Sequence, residues 1–277
     1  MFNLSDTISN NITQALNEDL GSGDITANLI SEDATLAVRL ICREQAILCG
    51  SQWFEETFKR VNDNIEINWF SCDGDLLQAD QTVCELKGNA RAILSAERTA
   101  LNFLQTLSAT ASITQYYQSL VSSTGCRILD TRKTIPGLRV AQKYAVTCGG
   151  GLNHRMGLYD DYLLKENHLA ACGSIAEAVQ RARQMNAESV LVVEVENLDQ
   201  LQQAIDARVD RALLDNFSID LLKQAVALNQ GSIQLEASGN IDEDTLLKIA
   251  QTGVDFISIG ALTKHVRAID FSLRFID

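Results

Sequence analysis

Seven lysines and arginines (Arg127, Arg132, Lys133, Arg139, Lys143, Arg155, Lys165) fall within 39 residues that hold only three acids, Asp130, Asp160 and Asp161. The rest of the chain carries 16 bases against 33 acids. A basic island in a chain of net charge −13 fits a pocket for a small anion better than a nucleic-acid surface, which needs a basic overall field. Several of these cations stand at the ends of short apolar runs. Arg132 and Lys133 follow one run and Lys165 closes a second. Glu194 closes a third and Asp215 a fourth, Ser238, Gly239 and Asn240 follow a fifth, and Gly260 follows a sixth. Lysines and carboxylates are rarely buried unless paired or functional. Guanidinium forks suit carboxylates and phosphates. Glu194 and Asp215 offer hard oxygen ligands of the kind that hold Mg²⁺ beside substrate phosphates. Exposed backbone N–H groups around Gly149-Gly150-Gly151, Ser238-Gly239 and Gly260 suit an anion.

These residues need a scaffold that brings successive strand ends to one edge. The second half supplies the pattern. Arg127–Thr131, Asp161–Lys165, Ser189–Val195, Arg211–Leu214, Ser232–Glu236 and Val254–Ile259 read as strands buried on both faces. The last four start 21 to 22 residues apart, the rhythm of successive βα units. Helical spacing recurs between them: Ile175, Ala178, Val179 and Ala182 after Ser174; Leu221, Leu222, Ala225 and Val226 after Ser218; and Leu246 to Ala250 before Gly253. In a βα barrel the active site lies at the C-terminal strand ends. About six strands fit the length, so an open barrel is expected in place of a closed eight-stranded one. The first half has strand patterns at Thr35–Cys42, Ile65–Phe70 and Thr82–Lys87, then a long helical pattern from about residue 91 to 121. The expected fold is α/β. An N-terminal α+β sandwich domain takes 1–105 with the start of the long helix, and an open βα barrel takes 106–270. A tail, 271–277, packs back on the first domain.

Composition narrows the class. The chain has 277 residues, 46% hydrophobic and 21% charged, with a single proline and no low-complexity linker. That describes a compact enzyme-sized body. No run approaches a membrane span, and the N-terminus lacks the pattern of a signal peptide. Seven cysteines without CxxC spacing read as reduced thiols of a cytoplasmic protein. The three histidines, His154, His168 and His265, lack helical ligand spacing, so zinc is not expected. There is no GxxxxGK[ST] loop for that type of ATP chemistry. No nucleic acid and no membrane partner are expected.

Several longer motifs sharpen the reading. DTRKTIPGLR (130–139), CGGGLNHR (148–155), LLKENH (163–168), VEVEN (193–197), LLDN (213–216), EASGN (236–240) and SIGALT (258–263) resemble quinolinate phosphoribosyltransferase. EDLGSGDIT (18–26) and ERTALNFLQTLS (97–108) do the same in the first half. The resemblance runs from about residue 18 to the C-terminus. One departure is Lys264 after GALT, where the family often has His; here His265 follows.

The resemblance implies a reaction: phosphoribosyl transfer from phosphoribosyl pyrophosphate to quinolinate, with Mg²⁺. The products are nicotinate mononucleotide, CO₂ and pyrophosphate, which feed NAD biosynthesis. It implies a homodimer with shared sites, Arg98 reaching the neighbour's site. Thr131, Arg132, Arg155, Arg98 and His154 would then serve the quinolinate carboxylates, and Lys133 and Lys165 carboxylate or pyrophosphate. Glu194 and Asp215 would hold ribose hydroxyls and Mg²⁺. Ser238, Gly239, Asn240, Ile259, Gly260 and Ala261 would cradle the 5′-phosphate. Lys133, Lys165, Glu194 and Asp215 are the expected catalytic set. Three rivals stay open: a related transferase acting on nicotinate or another pyridine, a Schiff-base barrel lyase using Lys165, and a non-catalytic binding protein.

Overall fold

Alternation of apolar and polar side chains in TLAVRLIC makes β1 (Thr35–Cys42) a strand with one wet face, burying Val38, Leu40 and Cys42. The computed structural model describes residues 3–239 and 241–276; Asn240 lies outside the described residues. The chain divides into two compact units, not at a single cut near residue 105. The first holds 1–115, 134–150 and 262–277, and the second holds 116–133 and 151–261. The long helix hides this from the sequence: α3 (Ala90–Leu120) runs through the division without a break, and the stretch at 134–150 returns to the first unit.

In the first unit β1 pairs antiparallel with β5 (Gln81–Asn89) and β12 (Phe271–Phe275), and β5 pairs with β3 (Glu66–Trp69). The order is β12-β1-β5-β3, with β2 (Ala46–Ile47) and β4 (Leu76–Leu77) as a separate short pair. The inner face of the sheet packs on Phe54 and Phe58 of α2 (Ser51–Val61) and on Ile93, Ala96, Ala100 and Leu104 of α3. A second cluster forms where α1 (Leu4–Leu20) lays Ile8, Ile12 and Leu16 against Trp53, Phe103 and Leu107. Ala141 and Ala145 of α4 (Arg139–Cys148) join it. The N-cap of helix α2 is Gly50, which has no side chain to cap it. The carboxylate of Asp73 does so from a distant loop, accepting from the N–H groups of Gly50 (3.0 Å) and Ser51 (3.1 Å).

In the second unit six parallel strands lie in the order β6-β11-β10-β9-β8-β7. They are β6 (Arg127–Leu129), β7 (Tyr162–Leu164), β8 (Leu191–Val195), β9 (Arg211–Asp215), β10 (Gln234–Ser238) and β11 (Phe256–Ser258). Sequential strands are neighbours throughout, except that β6 pairs with β11 and not with β7. The sheet is therefore an open βα barrel with its seam between β6 and β7. Part of that seam is lined by the chain after Gly151: Leu152 bridges Leu129 in parallel, and its N–H donates to Ile128 O at 2.9 Å. Helices α5 (Glu166–Cys172), α6 (Ile175–Met185), α7 (Leu198–Asp206), α8 (Ile219–Asn229) and α9 (Glu243–Ala250) connect the strands from β7 on. Ser174, Asn197 and Ser218 cap the N-termini of α6, α7 and α8. A last short helix, α10 (Ala261–Lys264), spans the division.

β10 begins two residues later than its apolar run suggests. Asn229, buried at the end of α8, donates to Ile233 O and accepts from Ile233 N–H, which ties residues 229–233 into a turn. No helix among the described residues is long and apolar enough to cross a membrane.

The C-terminal end of α4 lies against α3. A Cβ added at Gly149 would sit 2.3 Å from the carbonyl oxygen of Ala111 and 2.7 Å from Cβ of Thr114. Backbone cannot yield as a flexible side chain would. Gly149→Ala is expected to destabilise the protein by about 1–3 kcal/mol, read from the urea midpoint; an unchanged midpoint would contradict this packing.

Candidate active site

A cavity of about 360 Å³ opens at the C-terminal edge of the parallel sheet. Its walls carry Thr131, Arg132 and Lys133 beyond β6, Lys165 beyond β7, Glu194 of β8, Asp215 of β9, Ser238 of β10 and Ser258 of β11. His154 and Arg155 enter from the segment bridged to β6. The charged groups come from several successive strand ends, and the ladder sets the level of those on β9 and β10: Glu236 lies level with Leu213 on β9, and Ser238 with Asp215.

The basic island splits. Arg132, Lys133, Arg155 and Lys165 line the cavity. Arg127 starts β6 at the opposite end of the strand, and Arg139 and Lys143 belong to α4 in the first unit. The sequence placed all seven in one island because it cannot show that 134–150 leaves this unit. Arg98 lies exposed on α3 within the first unit.

Electrostatics within the cavity are those of an anion site. Burial, and secondly the charge of Arg132, push the Arg155 guanidinium below its ordinary value. Arg155 Nη1 donates to the carbonyl of Asp161 at 3.3 Å. Lys165 Nζ pairs with Glu194 Oε2 at 2.5 Å. Below them Glu236 is fully buried; its Oε2 accepts from Arg211 Nη1 at 3.1 Å and faces His154 Nε2 at 3.5 Å. Arg211 in turn lies 4.2 Å over the ring of Phe256, a cation–π contact. His154 Nδ1 accepts the N–H of Arg155 at 2.7 Å, which puts the imidazole proton on Nε2, toward Glu236. Buried Asp130 accepts the N–H of His154 at 2.9 Å and fixes the loop itself.

Two glycines at the rim have a steric reason. Gly239 has φ +99, and a Cβ there would meet Asn216 Oδ1 at 2.1 Å. At Gly260 a Cβ would lie 2.8 Å from Cδ of Lys133, so this glycine leaves room for the lysine stem. Ile259 is buried beyond β11, and Ala261 starts α10. A phosphate near Ser238 would draw on loop N–H groups. The N-terminus of α9 is closed by its own Asp242–Thr245 capping box and carries Glu243 and Asp244 in its first turn.

Sequence reasoning missed Glu236, Arg211, Asp130 and His168. Glu236 had a visible signal, a lone carboxylate inside an apolar run. Arg211 sits at the start of its strand and reaches inward by length alone. His168 Nδ1 accepts the N–H of Lys165 at 3.1 Å, anchoring the turn that presents that lysine. For Mg²⁺, Glu194 and Asp215 supply two carboxylates. No cluster of three or more His, Cys, Asp or Glu ligands forms at this site among the described residues. That donor set fits a magnesium ion held jointly with substrate oxygens and water, the usual mode for this ion.

Comparison with known proteins identifies the fold and sequence class. Residues 24–108 match the family quinolinate phosphoribosyl transferase, N-terminal domain, and residues 110–274 match its C-terminal domain. The chain is 40% identical over 257 residues to a probable nicotinate-nucleotide pyrophosphorylase [carboxylating] of Bacillus subtilis, covering 92% of this chain and 89% of that one. It is 38% identical to the chloroplastic nicotinate-nucleotide pyrophosphorylase [carboxylating] of Arabidopsis thaliana, covering 95% and 81%. The solved structure of the nicotinate-nucleotide pyrophosphorylase from Francisella tularensis superposes with a TM-score of 0.96 at 48% identity, covering 99% and 97%.

The buried carboxylate under the cavity is open to test. Glu236→Ala leaves Arg211 with a buried charge and no carboxylate, which is expected to cost about 3 kcal/mol or more of stability. Glu236→Gln keeps an acceptor for Arg211 and is expected to lose less. A Glu236→Ala protein within about 0.5 kcal/mol of wild type in denaturant unfolding would remove Glu236 from this role.

Proposed function

The chain belongs to the quinolinate phosphoribosyltransferase family, and from that premise we propose that it transfers phosphoribose from phosphoribosyl pyrophosphate to quinolinate with loss of CO₂. The products are nicotinate mononucleotide and pyrophosphate, in NAD biosynthesis. The observation that carries this reading is the convergence of Arg132, Lys133, Arg155 and Lys165 on one cavity that also holds Glu194 and Asp215. A dicarboxylate and a pyrophosphate are the anions such a cavity accepts. The seven free cysteines support a reducing, cytoplasmic setting.

In this mechanism Arg132 and Arg155 hold the two quinolinate carboxylates, with Thr131 and His154 beside them. Bidentate guanidinium pairing fixes the ring plane, so the ring nitrogen faces C1 of the ribose. Lys133 and Lys165 neutralise carboxylate or pyrophosphate oxygens. Lys165 starts from its pair with Glu194, so incoming anion and carboxylate compete for the same ammonium. Glu194 and Asp215 bind the ribose hydroxyls and favour the positive charge that grows on the ribose as pyrophosphate leaves. They would also hold Mg²⁺, which supplies charge neutralisation for the departing pyrophosphate. Ser238, Gly239, Ile259, Gly260 and Ala261 cradle the 5′-phosphate. Once the ring nitrogen is bonded to ribose it is cationic and stabilises the electron pair left on the ring carbon when the adjacent carboxylate leaves as CO₂; that carbon then takes a proton from solvent. No organic cofactor is required for that step. Arg98, on α3, completes the site of a second copy in a homodimer.

Substrate choice tests the core of the reading. Nicotinate leaves one guanidinium without its carboxylate, at an expected cost of about 3 kcal/mol. Quinolinate should therefore be preferred by roughly 100-fold in kcat/KM. Comparable turnover of nicotinate would overturn the assignment.

Arg98 is tested by complementation. Arg98→Ala and Lys165→Ala are each expected to be nearly inactive. Co-refolded in equal amounts, they form mixed dimers in half the population. Each mixed dimer has one intact site in two, so about a quarter of wild-type activity should return for a two-fold interface. Mixed dimers that form yet stay inactive would exclude Arg98 from the shared site.

A further inference from the structure

Within the first unit, among residues that take no part in the cavity, four reactive side chains meet. Cys49 ends the segment before α2, and Cys148 ends α4. Their sulfur atoms and a carboxylate oxygen of Asp73 all lie within 4.8 Å of one another. The hydroxyl of Tyr144 donates to Asp73 Oδ2 at 2.9 Å. Each position is fixed by backbone bonds. Cys49 N–H donates to Ser108 Oγ at 3.0 Å, and that hydroxyl donates back to Cys49 O at 3.1 Å. Asp73 is held by the N–H groups of Gly50 and Ser51.

The two thiols differ in a useful way. Cys49 is fully buried, whereas Cys148 is only partly covered. Burial pushes the Cys49 thiol up. A hydrogen bond from Cys49 draws the Cys148 thiol down against the opposing effect of burial and of the Asp73 charge. Both carboxylate oxygens of Asp73 already accept hydrogen bonds, which favours thiol chemistry over ligation of a metal ion.

We propose that Cys148 and Cys49 are a peroxide-reactive thiol pair, with Cys148 the attacking and Cys49 the resolving sulfur. The Cys148 thiolate attacks one oxygen of a hydroperoxide. An S–O bond forms, the O–O bond breaks, and the second oxygen leaves as water or an alcohol after taking a proton. Cys49 then attacks the sulfur of the sulfenic acid. The S–S bond forms, the S–O bond breaks, and water leaves with the Cys49 proton. Two thiols are oxidised by two electrons and the peroxide is reduced by two. This disulfide ties the C-terminus of α4 to the N-terminus of α2, and a thiol reductant reopens it.

The exposed Cys72 serves as an internal reference, because its neighbour Asp75 pushes its thiol up. The native full-length chain is treated with graded hydrogen peroxide, its remaining thiols are alkylated, and peptides are mapped by mass. The expected first product is a Cys49–Cys148 cross-link, lighter by two hydrogens and reversed by dithiothreitol, formed at lower peroxide than oxidation of Cys72. In Cys49→Ala the reaction should stop at a sulfenic acid on Cys148 that dimedone traps. In Cys148→Ala, Cys49 should stay reduced. Oxidation of Cys72 ahead of an unmodified Cys148 would overturn the proposal. So would one equivalent of zinc carried by the untreated protein and lost in Cys148→Ala, which would make the cluster a metal site. The wild-type map alone decides the matter if a variant fails to fold.

Discussion

Like charges gathered in one cavity repel, and the arrangement of the second unit answers that repulsion. Two unit charges about 4 Å apart cost about 4 kcal/mol at an effective dielectric near 20, and four cations share these walls. Arg132 and Lys133 follow the end of β6, Lys165 follows β7, and Arg155 stands on the segment bridged to β6, so the sheet spreads the four cations over three places on its edge. The carboxylates are placed with equal economy. Glu194 faces Lys165, and Glu236 sits beneath, shared by Arg211 and His154. A polyanion held there would offset what repulsion remains between the four cations.

The same constraint explains which residues the sequence revealed. Lys165, Glu194 and Asp215 were legible because a charge that closes an apolar β-branched run contributes nothing to packing there, and the 21-to-22-residue rhythm put those ends on one edge. The six strands were legible for the same reason, and β1 was found to the residue. The supporting charges were harder. Arg211 opens its strand and reaches inward along its stem, which no periodicity reports. Glu236 had a signal, but a carboxylate in mid-strand is read as solvent-facing unless its partners are known. Arg139 and Lys143 looked like members of the cavity through sequence proximity, and only the path of the chain through the first unit removes them. The helix α4 is not among the helical patterns read from the sequence, where 139–148 stood out only for its cations.

Local chemistry at the rim follows the same logic at smaller scale. Gly260 and Gly239 are needed for what lies next to them, the stem of Lys133 and the side chain of Asn216. His168 acts through one hydrogen bond to the backbone of Lys165. Such residues leave no compositional trace, since each is justified by a single neighbour distant in sequence or by one backbone angle.

The order of strands carries a consequence for how this chain is made on the ribosome. β6 brings Thr131, Arg132 and Lys133 to the cavity, yet its partner among the named strands of the described residues is β11, the last strand of its sheet. β1, at the other end of the chain, has one edge that stays bare until β12 arrives. Both sheets thus wait for the final residues, and long-range pairing of this kind is slow and leaves edges exposed meanwhile. A nascent chain halted before residue 256 would hold most of its helices and five of its barrel strands, with β6 tied at Leu152 but not yet paired to β11. Incomplete products therefore present open strand edges to chaperones and proteases in place of a half-working enzyme.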